Sequence, residues 1–304
     1  MTDILGQLLY KTAVELGIVT EGKATGGSTT TIIDTSATAL KEFGAKDDDY
    51  WNGGIAGIRY DAGGLGAAPE WQYAEISDYV KSTQTITLQD ALTIAVASGD
   101  RYWLAKRTFG SLYNLIQKIN DVAENYLVPT TDITTITTAS SQREYTLPAA
   151  ASFDLRQVWL QRETSDSDDN QWVERRDWYM QQAAAGTAKT LVTLSQWPSG
   201  RALKLVYWTR PTPMNVYSDK LHERIHPHII AYEAAIDLLI DRLAIVQRDP
   251  GIEARIANLQ NKLARVIAEN PVDTEPLNTT TGISMLAHGK RRRYPGDRDA
   301  YPKW

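Results

Sequence analysis

The sequence predicts an α+β protein: a helical bundle, assembled from N-terminal, middle and C-terminal helices, carries two β-rich inserts and ends in an extended C-terminal arm. Three observations lead there. Apolar residues recur at three- and four-residue spacing in four well-separated stretches, and helices of that length need a partner surface to be stable. The stretches between them hold short alternating runs punctuated by glycine pairs, the pattern of short strands and tight turns. The final stretch contains Pro271, Pro276, Pro295 and Pro302 and no apolar period, so it cannot build a core of its own. The implied division is an N-terminal bundle helix (1–24), a β-rich insert (25–105), a bundle helix (106–128), a second β-rich insert (129–212), a helical hairpin (213–270) and a docking arm (271–304).

The first helix is expected over 3–16. Asp3 is suited to cap it, Ile4, Leu5, Leu8, Leu9 and Leu16 fall near one face, and Gly17 can end it. Strand candidates follow at Thr30–Asp34, Ile55–Tyr60, Tyr73–Tyr79, Thr85–Leu88 and Arg101–Leu104, separated by Gly53-Gly54, Gly63-Gly64 and Ser98-Gly99-Asp100. Strands this short suggest a small barrel or sandwich. Leu112, Leu115, Ile116, Ile119, Val122, Ala123 and Tyr126 mark the second helix, with Pro129 beyond its end.

In the second insert, Tyr145 and Leu147 share one side of an extended segment. Phe153–Glu163 and Gln171–Met180 read as the arms of a hairpin with an acidic tip, Thr164–Asn170. Leu203, Leu205 and Tyr207 alternate with Lys204, Val206 and Trp208, and apolar residues on both faces predict a strand covered on two sides. Pro227 suits a first helical turn. Ile229, Tyr232, Ile236, Leu239, Leu243 and Val246 carry that helix to Asp249-Pro250-Gly251, and Ile252, Ile256, Leu259, Leu263 and Val266 carry the next to Asn270-Pro271. The connection is short, so the pair should lie antiparallel.

Composition excludes several classes. A chain of 304 residues, 42% hydrophobic, can bury a core without disulfide or metal staples. It has no cysteine, which rules out disulfides, thiolate zinc sites and cysteine nucleophiles and fits synthesis in a reducing cytoplasm. Met1–Tyr10 lacks the basic and apolar regions of a signal peptide, and no run approaches the roughly 20 apolar residues of a membrane span, so no membrane partner is expected. The net charge of −5 argues against general nucleic-acid binding. Residues 290–304 carry 6 − 2 = +4, leaving −9 on residues 1–289. Nine Trp and fifteen Tyr stand against three Phe, a bias that suits half-buried strand positions and protein interfaces equally.

One motif looks catalytic. His222-Glu223-Arg224-Ile225-His226 matches H-E-x-x-H, in which two histidines on one helical face hold zinc and the glutamate acts as base on the metal-bound water. Pro227 argues against it. It removes a helical hydrogen bond, clashes with the preceding turn and pushes His226 out of helical geometry. The longer form of the motif is also missing, because Ile229 and Tyr232 occupy its glycine and third-histidine positions. These residues are therefore read as surface or capping groups, and no metal or other cofactor is expected. Asp166-x-Asp168-x-Asn170 opens like a calcium loop, but Gln171 and Asp177 replace the sixth-position glycine and twelfth-position glutamate, which leaves an acidic hairpin tip. Gly63-Gly64-Leu65-Gly66 lacks the Lys-Ser/Thr of a phosphate loop. The basic run Lys290–Arg293 is of the kind that stays solvated or docks on an acidic neighbour.

Five segments together resemble a β module of tailed-phage virion proteins: Thr29–Asp34, Asp48-Asp49-Tyr50-Trp51-Asn52-Gly53-Gly54, Ile76–Tyr79, Thr85–Leu88 and Gly99-Asp100-Arg101-Tyr102. Ile225-His226-Pro227-His228-Ile229-Ile230-Ala231-Tyr232-Glu233-Ala234-Ala235, continuing through Leu263, resembles the head–tail adaptor (neck or connector) proteins of tailed bacteriophages. The similarity covers 1–128 and 220–270, and 130–210 has no nameable counterpart. The resemblance implies a non-enzymatic virion protein of the neck, a twelve-fold homo-oligomeric ring that lines the DNA channel without binding DNA specifically. Implied partners are the portal protein, tail or nozzle proteins and possible fibre proteins. It also implies a C-terminal segment that reaches a neighbour, for which Lys290, Arg291, Arg292, Arg293, Tyr301 and Trp304 are the anchor residues. Two other readings compete: a zinc metallopeptidase using His222, Glu223 and His226, and a fibre-anchoring or receptor-binding protein holding glycans on Trp and Tyr surfaces.

Overall fold

The computed structural model describes residues 3–36, 46–64, 66–149, 151, 154–163, 172–181, 189–246 and 249–270. Among them are four helices and fourteen strands, the strands in three antiparallel sheets. The helices are α1 (Leu5–Glu15), α2 (Leu112–Glu124), α3 (Pro227–Val246) and α4 (Pro250–Glu269).

The helix ends are satisfied in different ways. Asp3 does not cap α1. Ile4 takes the capping position, its N–H donates to Gln7 Oε1 at 3.2 Å, and Asp3 pairs with Lys11 instead. The free N–H groups of Leu5 and Gly6 are met by the carbonyls of Asp219 and Tyr217, at 2.8 and 3.1 Å. A distant loop thus does what a capping side chain usually does. Gly17 ends α1 at φ +62°, a conformation that costs glycine nothing. Ser111 caps α2 by accepting from Asn114 N, and Asp249 caps α4 by accepting from Gly251 N at 2.9 Å, with Pro250 in the first turn.

The first sheet is seven-stranded: β1 (Val19–Lys23), β2 (Gly26–Gly27), β3 (Thr31–Ile33), β4 (Ile55–Tyr60), β5 (Tyr73–Val80), β6 (Thr85–Leu88) and β7 (Arg101–Ala105), in the order β1-β7-β4-β5-β6-β3-β2. Its edge strands β1 and β2 are joined by only two residues, Ala24 and Thr25, so the sheet must curl to bring its edges together. Ile32, Trp51, Ile58, Ile76, Tyr79, Ile86, Tyr102 and Leu104 fill the curl. Within it, Tyr102 donates to buried Asp34 at 2.7 Å, which satisfies a carboxylate with little access to water.

The second β region holds a four-stranded sheet, β11-β10-β14-β8, and a three-stranded one, β12-β13-β9. The former uses β8 (Val128–Asp132), β10 (Leu155–Gln161), β11 (Trp172–Arg175) and β14 (Leu203–Thr209), and the latter β9 (Glu144–Thr146), β12 (Trp178–Gln181) and β13 (Thr190–Thr193). Val158, Leu160, Leu203 and Leu205 from one sheet share a core with Tyr145, Leu191 and Trp197. The stretch Gln171–Met180, read from sequence as one hairpin arm, divides at Arg176-Asp177. Its first half, from Trp172, pairs with β10, and its second half joins the other sheet. The acidic tip 164–170 lies outside the described residues.

Two further expectations are corrected. Two-sided cover does not fall on Leu203–Trp208, where Leu203, Leu205 and Tyr207 are buried but Lys204, Val206 and Trp208 are only half-buried. It falls on β4 and β7. There Ala56, Ile58, Tyr102 and Leu104 face the curl, while Ile55, Trp103 and Ala105 belong to the helical core. A period of two with both faces buried makes these strands apolar at nearly every position.

The second correction concerns the helical bundle. The helices do not close a core by themselves with the β segments as excursions. α3 is the hub, with α1, α2 and α4 packed against it, and the same core takes in Ile55, Trp103, Ala105, Val128 and Met214 from outside the helices. α4 buries only Leu259 fully, and Arg255 and Lys262 fasten it to Glu15 of α1 at 2.8 Å each. Buried Asn120 of α2 exchanges two hydrogen bonds with the backbone of Met214, both 2.9 Å, and so pins the segment between β14 and α3.

Candidate functional site

The H-E-x-x-H residues lie in a turn before α3. Ile225 N donates to His222 O at 3.0 Å and Arg224 N to His222 Nδ1 at 3.3 Å, and the backbone becomes helical only at Pro227. Without a helix through 222–226, His222 and His226 do not project from one helical face, and Glu223 is exposed. His226 stacks instead on His228, ring centres 5.5 Å apart, and His228 stands 5.7 Å from Tyr232. Among the described residues no group of three or more His, Asp or Glu is placed to hold a metal. Asp166, Asp168 and Asn170 lie outside them. Asp177 is occupied locally, accepting from the Ser195 hydroxyl and from Trp197 Nε1 at 3.1 Å. Protein purified without chelator is therefore expected to carry no stoichiometric zinc by elemental analysis. About one equivalent, lost in His222→Ala, would restore the peptidase reading.

The three histidines share an electrostatic consequence. His222, His226 and His228 all titrate below the ordinary histidine value, first because burial disfavours the charged ring. Lys11 adds to the effect at His226 and His228, while Asp3 opposes it at both and Glu15 at His228. At His222 the neighbours Glu223 and Arg224 act in opposite senses. His226 and His228 also sit at the positive end of α3, where a cation is disfavoured. Because the folded pKa values are depressed, the unfolded chain binds more protons. This share of stability is complete above the unfolded value of 6.5 and is lost as pH falls through the folded values. The melting temperature should decline on acidification from neutral pH through this window. The slope should flatten in the His222→Gln/His226→Gln/His228→Gln protein, and equal slopes in the two would refute the assignment.

The other candidate sites are surfaces. Trp51, Trp103 and Trp197 are buried within the chain, whereas Trp71, Trp159, Trp172, Trp178 and Trp208 are half-buried. The registers of β10, β11 and β14 place Trp159, Trp172 and Trp208 together on the outer face of the four-stranded sheet. Lys204 lies over Trp172 at 5.9 Å and Arg156 over Trp208 at 6.0 Å. At the far end of α3, Ile240, Ile245 and Val246 are exposed, Ile245 by 74%. The arm residues Lys290, Arg291, Arg292, Arg293, Tyr301 and Trp304 lie outside the described residues.

A family model described as SU10 adaptor protein matches residues 81–280, about two thirds of the chain. The chain belongs to the SU10 adaptor protein family. The adaptor is thus a structural component of a phage virion, of a kind that works with portal and tail proteins. The match runs from the β5–β6 turn to beyond α4, so it takes in the second β region, for which sequence reading had no counterpart; residues 1–80 lie before it. No curated protein matches the chain. No helix among the described residues is long and apolar enough to cross a membrane.

Sequence reading missed two features of the adaptor. His228 was not paired with His226, although the spacing of two across a proline was visible. Glu233 was given no partner. Its signal was a carboxylate in a helix whose neighbouring positions are apolar, which marks a buried charge in need of a partner.

Proposed function

We propose that the protein is a head–tail adaptor that forms a ring between the portal and the tail, in the neck of the virion, and lines the channel through which DNA passes. The family match over residues 81–280 carries this reading. The charge distribution supports it: a body of −9 lets DNA slide without adhering, and the +4 of residues 290–304 suits an acidic surface on a neighbour. The half-buried tryptophans of the two β-rich segments, 25–105 and 129–212, and the apolar end of α3 supply contacts for sister copies, for tail or nozzle proteins and for fibre proteins. The arm 271–304 is the assembly latch, with Lys290–Arg293, Tyr301 and Trp304 as its anchors on a neighbouring surface.

Native mass spectrometry of the purified protein, alone and mixed with its portal, tests the reading. The expected result is a monomer alone and a closed ring with the portal, twelve copies by analogy with head–tail adaptors. A protein that stays monomeric in the presence of its portal rules the reading out.

A further inference from the structure

Glu233 is a partly enclosed carboxylate that neither the zinc reading nor the assembly reading uses. Tyr126, just past α2, donates its hydroxyl to Glu233 Oε1 at 2.5 Å. Burial raises the Glu233 pKa, with Asp237 adding to the rise and the Tyr126 hydrogen bond opposing it. Glu233 opens onto a cleft of about 370 Å³ among α2, α3 and α4, with Val122, Tyr126, Ile236 and Leu263 as its apolar lining and Glu233 and Asp237 as its charges. Asp237 and Asp241 lie 3.7 and 3.2 Å from Lys118, and Asp121 also acts on that lysine. With Glu233 beside Asp237 the local sum is 1 − 4 = −3. The cleft is thus shaped for an apolar stem ending in a cation, which describes an arginine or lysine side chain.

The chain supplies such side chains close by. α4 ends at Glu269, about 10 Å beyond cleft-lining Leu263 at 1.5 Å per residue. From Asn270 to Lys290 there are 290 − 270 = 20 residues, a reach of up to roughly 70 Å at full extension. That reach exceeds the distance back to the cleft, so the basic run can return to it within one molecule, a contact favoured over the same contact between molecules. A neighbour's arm has no such advantage while the protein is monomeric.

We propose that in the free subunit the run Lys290–Arg293 folds back onto its own α2–α3–α4 cleft. One basic head group reaches Glu233 and Asp237, and its stem lies against Val122, Ile236 and Leu263. The cleft is then a parking site that keeps the arm off wrong partners until an assembly surface competes for it. This inference stands on the cleft and the tether and holds whether or not the ring reading does.

The chain has no cysteine, so a single pair, Gln260→Cys at the cleft rim and Gly289→Cys beside the basic run, can be placed in the otherwise intact protein. On mild oxidation the expected product is a disulfide at monomer mass, formed at a rate independent of protein concentration. Adding Glu233→Gln and Asp237→Asn should slow it about tenfold, as should replacing Arg291, Arg292 and Arg293 by serine. Glutamine keeps the size of Glu233 and can still accept from Tyr126. Circular dichroism checks folding, and if Glu233→Gln fails to fold, Asp237→Asn and the serine variant carry the comparison. Disulfide-linked dimers as the main product, or a rate indifferent to the charge changes, overturn the proposal.

Discussion

Replacing Trp103 with alanine is expected to destabilise the protein by about 3–5 kcal/mol, the range for emptying a large aromatic site in a packed core. Trp103 is 1% exposed and belongs to the core shared by α1, α2, α3 and the first sheet. It projects from β7 toward the helices, with Tyr10 of α1 edge-on at 5.9 Å. The space is prepared from the sheet side by Gly57 of β4, where a Cβ would fall 2.5 Å from Trp103 Nε1. Gly57→Val should therefore injure the same contact by overfilling it, at about 1–3 kcal/mol. Since the side chain joins sheet to helices, one loss should lower the melting of both together, by roughly 10 °C at this chain length. Thermal melts followed by far- and near-ultraviolet circular dichroism measure it. A change below about 1 kcal/mol, or helix signal that melts separately from aromatic signal, would show that the helices and the first sheet do not share a core.

The second large effect is on assembly. A chain ending at Asn270 should fold with nearly unchanged stability and fail completely to join the portal or the ring. Among the described residues the three apolar cores reach no later than Val266, so the truncation removes none of the described core. It removes all six proposed anchor residues, Lys290, Arg291, Arg292, Arg293, Tyr301 and Trp304. Interface energy concentrates on few residues, with Trp, Tyr and Arg prominent among them, so a latch built from these should show all-or-none loss rather than a graded one. Melting curves and co-sedimentation with portal, compared between the full chain and the truncated one, give the two readouts. Truncated protein that still builds infectious particles would discard the latch; truncated protein that no longer folds would show that the arm serves stability instead.

Much of the local structure was legible in the residue order. Helical spacing located the four described helices: α1, α2 and α4 carry an apolar stripe whose period a linear sequence displays directly, and α3, the hub, is apolar at most positions from Ile229 to Leu239. Thr30–Asp34, Ile55–Tyr60, Tyr73–Tyr79, Thr85–Leu88 and Arg101–Leu104 were visible as short runs between glycine-rich turns, and the strands β3 to β7 fall within one residue of those bounds. Pro227, read against backbone geometry, was enough to take the zinc motif off its helix, since the ring constrains the residue before it wherever the chain goes. Other features depended on which parts of the chain meet. Asp3 looks like a cap, but the carbonyls of Tyr217 and Asp219 arrive from the far end of the chain and leave it free to pair with Lys11. The two-sided burial of β4 and β7 follows from a sheet that curls around one core while its back closes another, and no period within a single strand says what will cover each face. The cleft at Glu233 needs Tyr126, 107 positions away, and two further helix faces to exist at all. Spacing along the chain reports local periodicity and turn chemistry; which surfaces close on one another is settled by contacts between segments far apart in sequence, and the shared core and the cleft are made of such contacts.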